Sequence, residues 1–107
     1  MGDKMSDFDK IDDQTEIELQ AAAFRALRAH LQNRTDVQNI DMMNLAGFCR
    51  NCLAGWFQDA ATEKGLTLSK DKARAYVYGM PYSQWRDSYQ TEATDAQKAA
   101  FEKAEKK

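Results

Sequence analysis

A helix-start signal recurs three times along this chain and constrains its fold more than any other feature. The pattern is Thr-x-x-Glu or Thr-x-x-Gln, and it begins at Thr15, Thr35 and Thr94. In such a capping box, side chains at both ends of the pattern accept hydrogen bonds from backbone amides that the first helical turn leaves unpaired. Ser69 and Pro81 mark two further starts, as an N-cap and as a first helical residue. The sequence therefore predicts an all-α protein, a small bundle of four or five helices.

The size and charge of the chain restrict its class. With 107 residues, of which 43% are hydrophobic, it supports one small core. Residues 1–14 are predicted to be a flexible acidic tail, and residues 15–107 a single helical domain. The net charge is only −2 and no apolar run approaches the roughly 20 residues of a membrane span, so we expect neither nucleic acid nor a membrane as a partner. Two cysteines and no signal-peptide pattern predict a cytoplasmic protein with reduced thiols.

A central helix is predicted at about residues 41–64, ending at Gly65. Its start is ambiguous and could lie anywhere from residue 36 to residue 46. Small residues recur on one side at Gly47, Asn51 and Gly55, which would let another helix or a second subunit approach closely. The other side carries an apolar stripe made of Met42, Leu45, Cys49, Leu53, Trp56 and Ala60. We therefore expect a binding or self-associating module without catalysis of its own, and a homo-oligomer is one form it could take.

The motif most suited to metal binding or covalent chemistry is Cys-Arg-Asn-Cys at residues 49–52. Two thiolates three residues apart can share one metal ion, and soft sulfur ligands suit zinc or iron. His30 is the sole histidine and would be the third ligand beside Cys49 and Cys52. His30 precedes the end of the first helix by only about three residues, or roughly 4.5 Å. The cysteines therefore reach it only if the central helix begins near Ala46.

Three other interpretations of the cysteine pair remain open. A thiol-redox pair would place its first cysteine at a helix N-terminus, which a late start of the central helix would favour. A single nucleophilic cysteine with His30 as its base meets the same distance problem as the metal site. The favoured interpretation is that Cys49 and Cys52 are small core residues, because free cysteines are often buried. A metal-binding or thiol-redox protein is the alternative function, and no catalytic residue is assigned.

Two further groups of side chains could bind a ligand. An aromatic group stands close together in the chain, formed by Tyr76, Tyr78, Tyr82, Trp85 and Tyr89. We expect it to cover the core rather than to line a groove. The run 75–78 would also suit a strand, but no second strand is visible to pair with it. The arginines at 25, 28, 34 and 50 could collect an anion, but a solvated face is the favoured interpretation.

Four segments of the sequence resemble a known bacterial family. They are residues 34–41 (Arg-Thr-Asp-Val-Gln-Asn-Ile-Asp), residues 44–53 around the cysteine motif, residues 78–82 (Tyr-Gly-Met-Pro-Tyr) with Trp85, and residues 89–94 (Tyr-Gln-Thr-Glu-Ala-Thr). Together they resemble the domain of unknown function 1244, whose members have about a hundred residues. The resemblance spans roughly residues 15–101. It implies a compact helical bacterial protein and carries no activity and no functional residue.

Overall fold

The computed structural model describes residues 3–105, with the side chains of residues 7–104, and the regular secondary structure of this part of the chain is entirely helical. It contains a 3-10 helix (Asp3–Lys10) and six α-helices: α1 (Asp13–Asn33), α2 (Asn39–Ala46), α3 (Arg50–Glu63), α4 (Lys70–Tyr78), α5 (Tyr82–Tyr89) and α6 (Asp95–Glu105). No strand occurs in the described residues. The predicted all-α bundle is confirmed, and none of these helices is both long and apolar enough to cross a bilayer.

The chain divides into two compact units, and the boundary in the sequence falls between His30 and Leu31. The first unit holds the 3-10 helix and most of α1. The amide of Thr15 donates a 2.8 Å hydrogen bond to Asp12 Oδ1, so Asp12 caps α1. The helix therefore begins before the Thr15 box that was expected to open it. The same hydrogen bond holds the pKa of the exposed Asp12 carboxyl below its usual value.

The second unit holds the packed core. Within it α3 packs on α4, α4 on α5, and α2 on α6. Trp85 of α5 and Val77 of α4 are almost fully buried, and they anchor the centre of this unit. The buried apolar residues are Leu31, Met42, Cys49, Leu53, Ala54, Ala73, Val77, Tyr78 and Trp85. All of them lie in the second unit, so residues 31–105 form the core of the bundle.

The predicted central helix over residues 41–64 is wrong in one respect, because the structure divides it into α2 and α3. Gly47 ends α2 with φ 77°, and its amide donates to the Met43 carbonyl. That left-handed conformation favours glycine, since it brings a Cβ close to the following carbonyl. Cys49 is fully extended and becomes the N-cap of α3. The break also disrupts the expected apolar stripe, because Leu45 is 89% exposed and Trp56 56% exposed.

Most of the other predicted helix ends are confirmed. Ser69 Oγ accepts from the amide of Lys72 and caps α4. Thr94 and Gln97 form the reciprocal capping box, each side chain accepting from the other's backbone amide at 3.1 and 2.8 Å. The Thr35 box opens no helix, since α2 begins at Asn39. Pro81 precedes α5 as its N-cap, one residue from the expected position.

Candidate functional site

The two cysteines meet at the N-terminus of α3. Cys49 is the N-cap and Cys52 the third helical residue, and their sulfur atoms lie 3.9 Å apart. Both are thiols rather than a disulfide. Cys49 is buried, with 7% of its surface exposed, while Cys52 is half-buried and has its sulfur 3.9 Å from Met43 Sδ. The late helix start that the chemical interpretations require is therefore present, although Cys49 also takes the core position of the favoured interpretation.

Burial controls the ionisation of Cys49. It raises the pKa of the Cys49 thiol above its usual value, because the thiolate loses solvation there. The backbone amides of Cys52 and Asn51 act in the opposite direction, as amides at a helix N-terminus do, but more weakly. Cys49 is consequently a protonated thiol at neutral pH. This arrangement does not activate Cys49 as a nucleophile.

The third candidate ligand, His30, belongs to the first unit, whereas both cysteines belong to the second. His30 lies near the end of α1 and its side chain is exposed. Within residues 3–105, no group of three or more His, Cys, Asp and Glu side chains is arranged to hold a metal ion. The structure thus brings Cys49 and Cys52 together without giving them a third ligand there. Zinc or iron at Cys49, Cys52 and His30 stays a prediction.

Arg50, between the two cysteines, is a buried charged residue that the sequence does not predict. It was expected on a solvated face, but only 1% of its surface is exposed. Its guanidinium donates to the carbonyl oxygens of Arg34 (2.7 Å) and Val37 (2.9 Å). It also donates to Asn39 Oδ1 (2.9 Å) and lies 4.9 Å from the Trp85 ring centre. These partners are all uncharged, and burial lowers the pKa of Arg50.

The contacts of Arg50 explain its position. Its backbone opens α3, while its side chain reaches the end of α1, where it also lies 3.4 Å from the Leu31 carbonyl. The last carbonyl groups of a helix have no partner within the helix, and a cation there is favourable. Arg50 therefore ties the loop between α1 and α2 to the first turn of α3. No pattern in the sequence signals this, since an arginine at a helix start is ordinarily exposed.

Tyr78 is the centre of a second buried polar network. Its hydroxyl accepts from Asn39 Nδ2 at 2.9 Å and donates to Asn51 Oδ1 at 2.8 Å. Burial raises the pKa of Tyr78 to about 12, because the phenolate would lose its hydration. Asn39 accepts from Arg50 as well, so the two networks are joined. The hydroxyl is thus committed to the fold as a neutral group.

The aromatic group behaves largely as predicted. Tyr78 and Trp85 are buried at 3% and 1% exposure, and their ring centres lie 5.1 Å apart. Tyr76 stacks on Phe57 at 4.5 Å while remaining partly exposed. Tyr89 packs beside Trp85 at 5.8 Å. The group therefore covers and fills the core.

A cavity of about 320 Å³ opens beside these networks, and residues 38–40 and 90–93 form much of its lining. Gln38 closes one side, because its Nε2 donates to the Tyr89 carbonyl and its Oε1 accepts from the Thr91 amide. Tyr82 donates to Gln90 Oε1 across the cavity. The lining side chains hold the segment 89–91 in place, so many of their polar groups serve the fold.

On the small-residue side of the predicted central helix, no other helix of the described chain approaches Gly47 or Gly55 closely. Gly47 lies outside any helix, and Asn51 is hydrogen-bonded to Tyr78. A Cβ atom added at Gly47 or Gly55 would meet no atom within 4 Å. The expectation that these residues admit a neighbouring helix is therefore wrong within the described chain, because the helix that would align them is broken.

Exposed apolar side chains lie instead on α1. Ile17 and Leu27 share one side of the helix and are 56% and 37% exposed, while Leu19 lies on another side and is 52% exposed. Charges on the same helix are separated, with acidic residues in the first half and basic residues in the second. The acidic set is Asp13, Glu16 and Glu18, and the basic set is Arg25 and Arg28. Large exposed apolar residues on one element are typical of an interaction surface.

Comparison with known proteins places the second unit in a family. No curated protein matches the chain. A family model matches residues 37–103, which begin just before α2 and extend into α6, while α1 precedes the matched region. The matched region covers more than half of the chain and includes Arg50, Tyr78 and both cysteines. The chain thus belongs to the family described as protein of unknown function (DUF1244).

Proposed function

We propose that the protein is a self-associating helical module, and that α1 pairs with α1 of a second copy. The observation that carries this proposal is the exposed apolar face of α1. Apolar area in contact with water costs about 25 cal/mol per Å², so covering Ile17 and Leu27 is favourable. A second copy is the partner that is always present at matching concentration.

The spacing of the apolar residues supports helix pairing. The positions 17, 20, 24, 27 and 31 alternate steps of three and four residues, as the seam of a coiled coil does. The seam available to a second copy is Ile17, Gln20, Phe24 and Leu27, because Leu31 continues the spacing but is buried in the second unit. A single polar residue such as Gln20 within such a seam fixes register at some cost in stability. The seam thus favours one defined pairing.

The charges of α1 select an antiparallel orientation. A parallel pair would set the acidic half against the acidic half and the basic half against the basic half. An antiparallel pair sets Glu16 and Glu18 of one copy along the basic half of the other, which holds Arg25. Complementary charge contributes to orientation more than to affinity. Pairing of two copies depends on protein concentration by mass action.

Sedimentation equilibrium over a concentration series tests the pairing. We expect wild-type protein to dimerise and Leu27→Glu to weaken the dimer by about tenfold or more, because a charge enters the seam. Leu66→Glu is the matched control, since Leu66 is 62% exposed and lies between α3 and α4, off this face. Wild type that stays monomeric throughout, or loss of the dimer in Leu66→Glu alone, would contradict the proposal.

Cysteine cross-linking tests the orientation, in a background in which Cys49 and Cys52 are replaced by alanine. Ala23 flanks the seam near its middle, so Ala23→Cys meets its own copy across an antiparallel pair. Gln20 lies in the seam, so Gln20→Cys meets its own copy across a parallel pair. We expect mild oxidation to cross-link Ala23→Cys faster. The reverse order would overturn the antiparallel assignment while leaving the self-association intact.

A further inference from the structure

The cysteine pair supports an inference that is independent of pairing through α1. We propose that Cys49 and Cys52 form a dithiol that is reversibly oxidised to an intramolecular disulfide by exchange with a small disulfide of the glutathione class. The two sulfur atoms are already 3.9 Å apart, in the first turn of a 14-residue helix. A disulfide requires about 2.05 Å between the sulfurs, so the bond forms after a small movement of the two side chains.

The surrounding structure holds the two thiols in this arrangement. Arg50 lies between them in sequence, and its buried guanidinium is fixed by the Arg34 and Val37 carbonyls. Asn51 is held by the Tyr78 hydroxyl. The two residues that separate the cysteines are thus both anchored by side-chain hydrogen bonds, and the turn that carries the sulfurs is fixed before any reaction.

The burial of the thiols sets the order of the steps. Cys52 is half-buried and Cys49 is 7% exposed, so a disulfide from solution reaches Cys52 first. The Cys52 thiol loses its proton, and its sulfur attacks one sulfur of the small disulfide, forming a mixed disulfide and releasing one thiolate. Cys49 then loses its proton and attacks the Cys52 sulfur, releasing the second thiolate. The two thiolates take up the two protons, so two protein thiols and one disulfide give one protein disulfide and two small thiols.

This order differs from that of a redox motif in which the first cysteine is the exposed nucleophile. Cys49 holds the helix N-cap but is shielded, and burial keeps it protonated. It acts here as the resolving cysteine, which reacts only after Cys52 has been modified. A variant that keeps only Cys52 should therefore accumulate the mixed disulfide, whereas a variant that keeps only Cys49 should react slowly.

The test incubates the full chain in mixtures of oxidised and reduced glutathione and quenches the reaction with an alkylating agent. Intact-mass spectrometry then measures the products. We expect wild type to convert reversibly to a species of monomer mass that has lost two hydrogens and takes up no alkyl group. We expect Cys49→Ser to accumulate glutathione on Cys52, and Cys52→Ser to react about tenfold more slowly at Cys49. Thermal melting followed by circular dichroism checks that both variants remain folded.

Three outcomes would overturn the inference. Wild-type thiols that stay unmodified until the protein is unfolded in urea would make both cysteines inert core residues. A disulfide between two chains, seen as a dimer mass, would replace the intramolecular bond. Faster reaction at Cys49 than at Cys52 would contradict the order of steps. The wild-type measurement alone decides the first two outcomes, whether or not either variant folds.

Discussion

The bundle formed by residues 31–105 has a buried apolar core, whereas α1 exposes large apolar side chains. Leu53 of α3 is 6% exposed, whereas Leu27 of α1 is 37% and Ile17 56% exposed. The bundle buries a compact apolar core and two polar networks, although Leu45, Trp56 and Leu66 remain exposed on its surface. Helices gain most of their stability from packing an apolar face, and α1 leaves that face open. The proposed pairing through α1 predicts that the bundle is stable by itself and that a second copy covers the exposed side chains of α1.

The strongest test of the self-sufficient bundle is Arg50→Met. This change keeps an unbranched side chain but leaves the Arg34 and Val37 carbonyls and Asn39 Oδ1 without their donor. We expect the free energy of unfolding to fall by about 3–5 kcal/mol, measured by urea denaturation. Arg25→Met on the exposed surface of α1 is the matched control, and in dilute, unpaired protein it should change this free energy by less than about 0.5 kcal/mol. Similar losses of unfolding free energy in the two variants would show that buried Arg50 stabilises the protein no more than exposed Arg25.

Truncating equivalent leucines in the two regions tests the comparison directly. Leu53→Ala should cost about 2–5 kcal/mol at every protein concentration, because it opens a cavity in the core. Leu27→Ala should cost little when the protein is dilute and more when it is concentrated, because its cost arises in the pairing. Urea unfolding at two concentrations measures both. A concentration-independent loss for Leu27→Ala would show that its contacts lie within one chain.

Tyr78 gives the bundle a pH dependence on the alkaline side. Its pKa in the fold is about 12 against an ordinary value of 10, so the folded state holds the proton more tightly. Its contribution to stability is therefore complete below pH 10 and is lost as the pH rises towards 12. Tyr78→Phe should reduce this alkaline loss and should cost about 1–3 kcal/mol at neutral pH, because Asn39 and Asn51 lose a hydrogen-bond partner.

Denaturation at a series of pH values measures that effect. Burial also raises the pKa of Cys49, which adds to the alkaline loss in both proteins. The difference in unfolding free energy between wild type and Tyr78→Phe at each pH therefore gives the contribution of the Tyr78 hydroxyl. Parallel curves for the two proteins between pH 10 and 12 would contradict the burial of a neutral hydroxyl.

Local signals made the helices predictable. Ser69 and Thr94 each cap a helix by a hydrogen bond to the amide three residues away, so the residues that form these contacts are close in sequence. Helix breaks are harder to predict, because Gly47 suits both a close-packing face and a left-handed C-cap. Arg50 could not be foreseen, since its acceptors at positions 34 and 37 come near only after the loop between α1 and α2 has folded.

The candidate site shows the same limit. The sequence indicated that Cys49 and Cys52 would be close if they shared a helical turn, and the 3.9 Å separation agrees with this. It could not show which of the two thiols solvent reaches, because the burial of Cys49 depends on how the helices pack. The exposure of α1 was equally hidden, since its apolar stripe has the spacing of a helix that packs on its own core.

The smallest effects concern glycine and alanine, which the two regions use differently. Gly47→Ala should destabilise the bundle by about 1–2 kcal/mol, because its φ of 77° strains any residue with a Cβ. Its added Cβ would meet no atom, so the loss measures backbone conformation alone.

In α1, Ala22→Gly should cost about 1 kcal/mol of helix propensity. If α1 is completed from outside, this cost appears as reduced helicity and weaker pairing, while the unfolding midpoint of dilute protein stays unchanged. A midpoint that falls in dilute Ala22→Gly would mean that α1 unfolds together with the bundle.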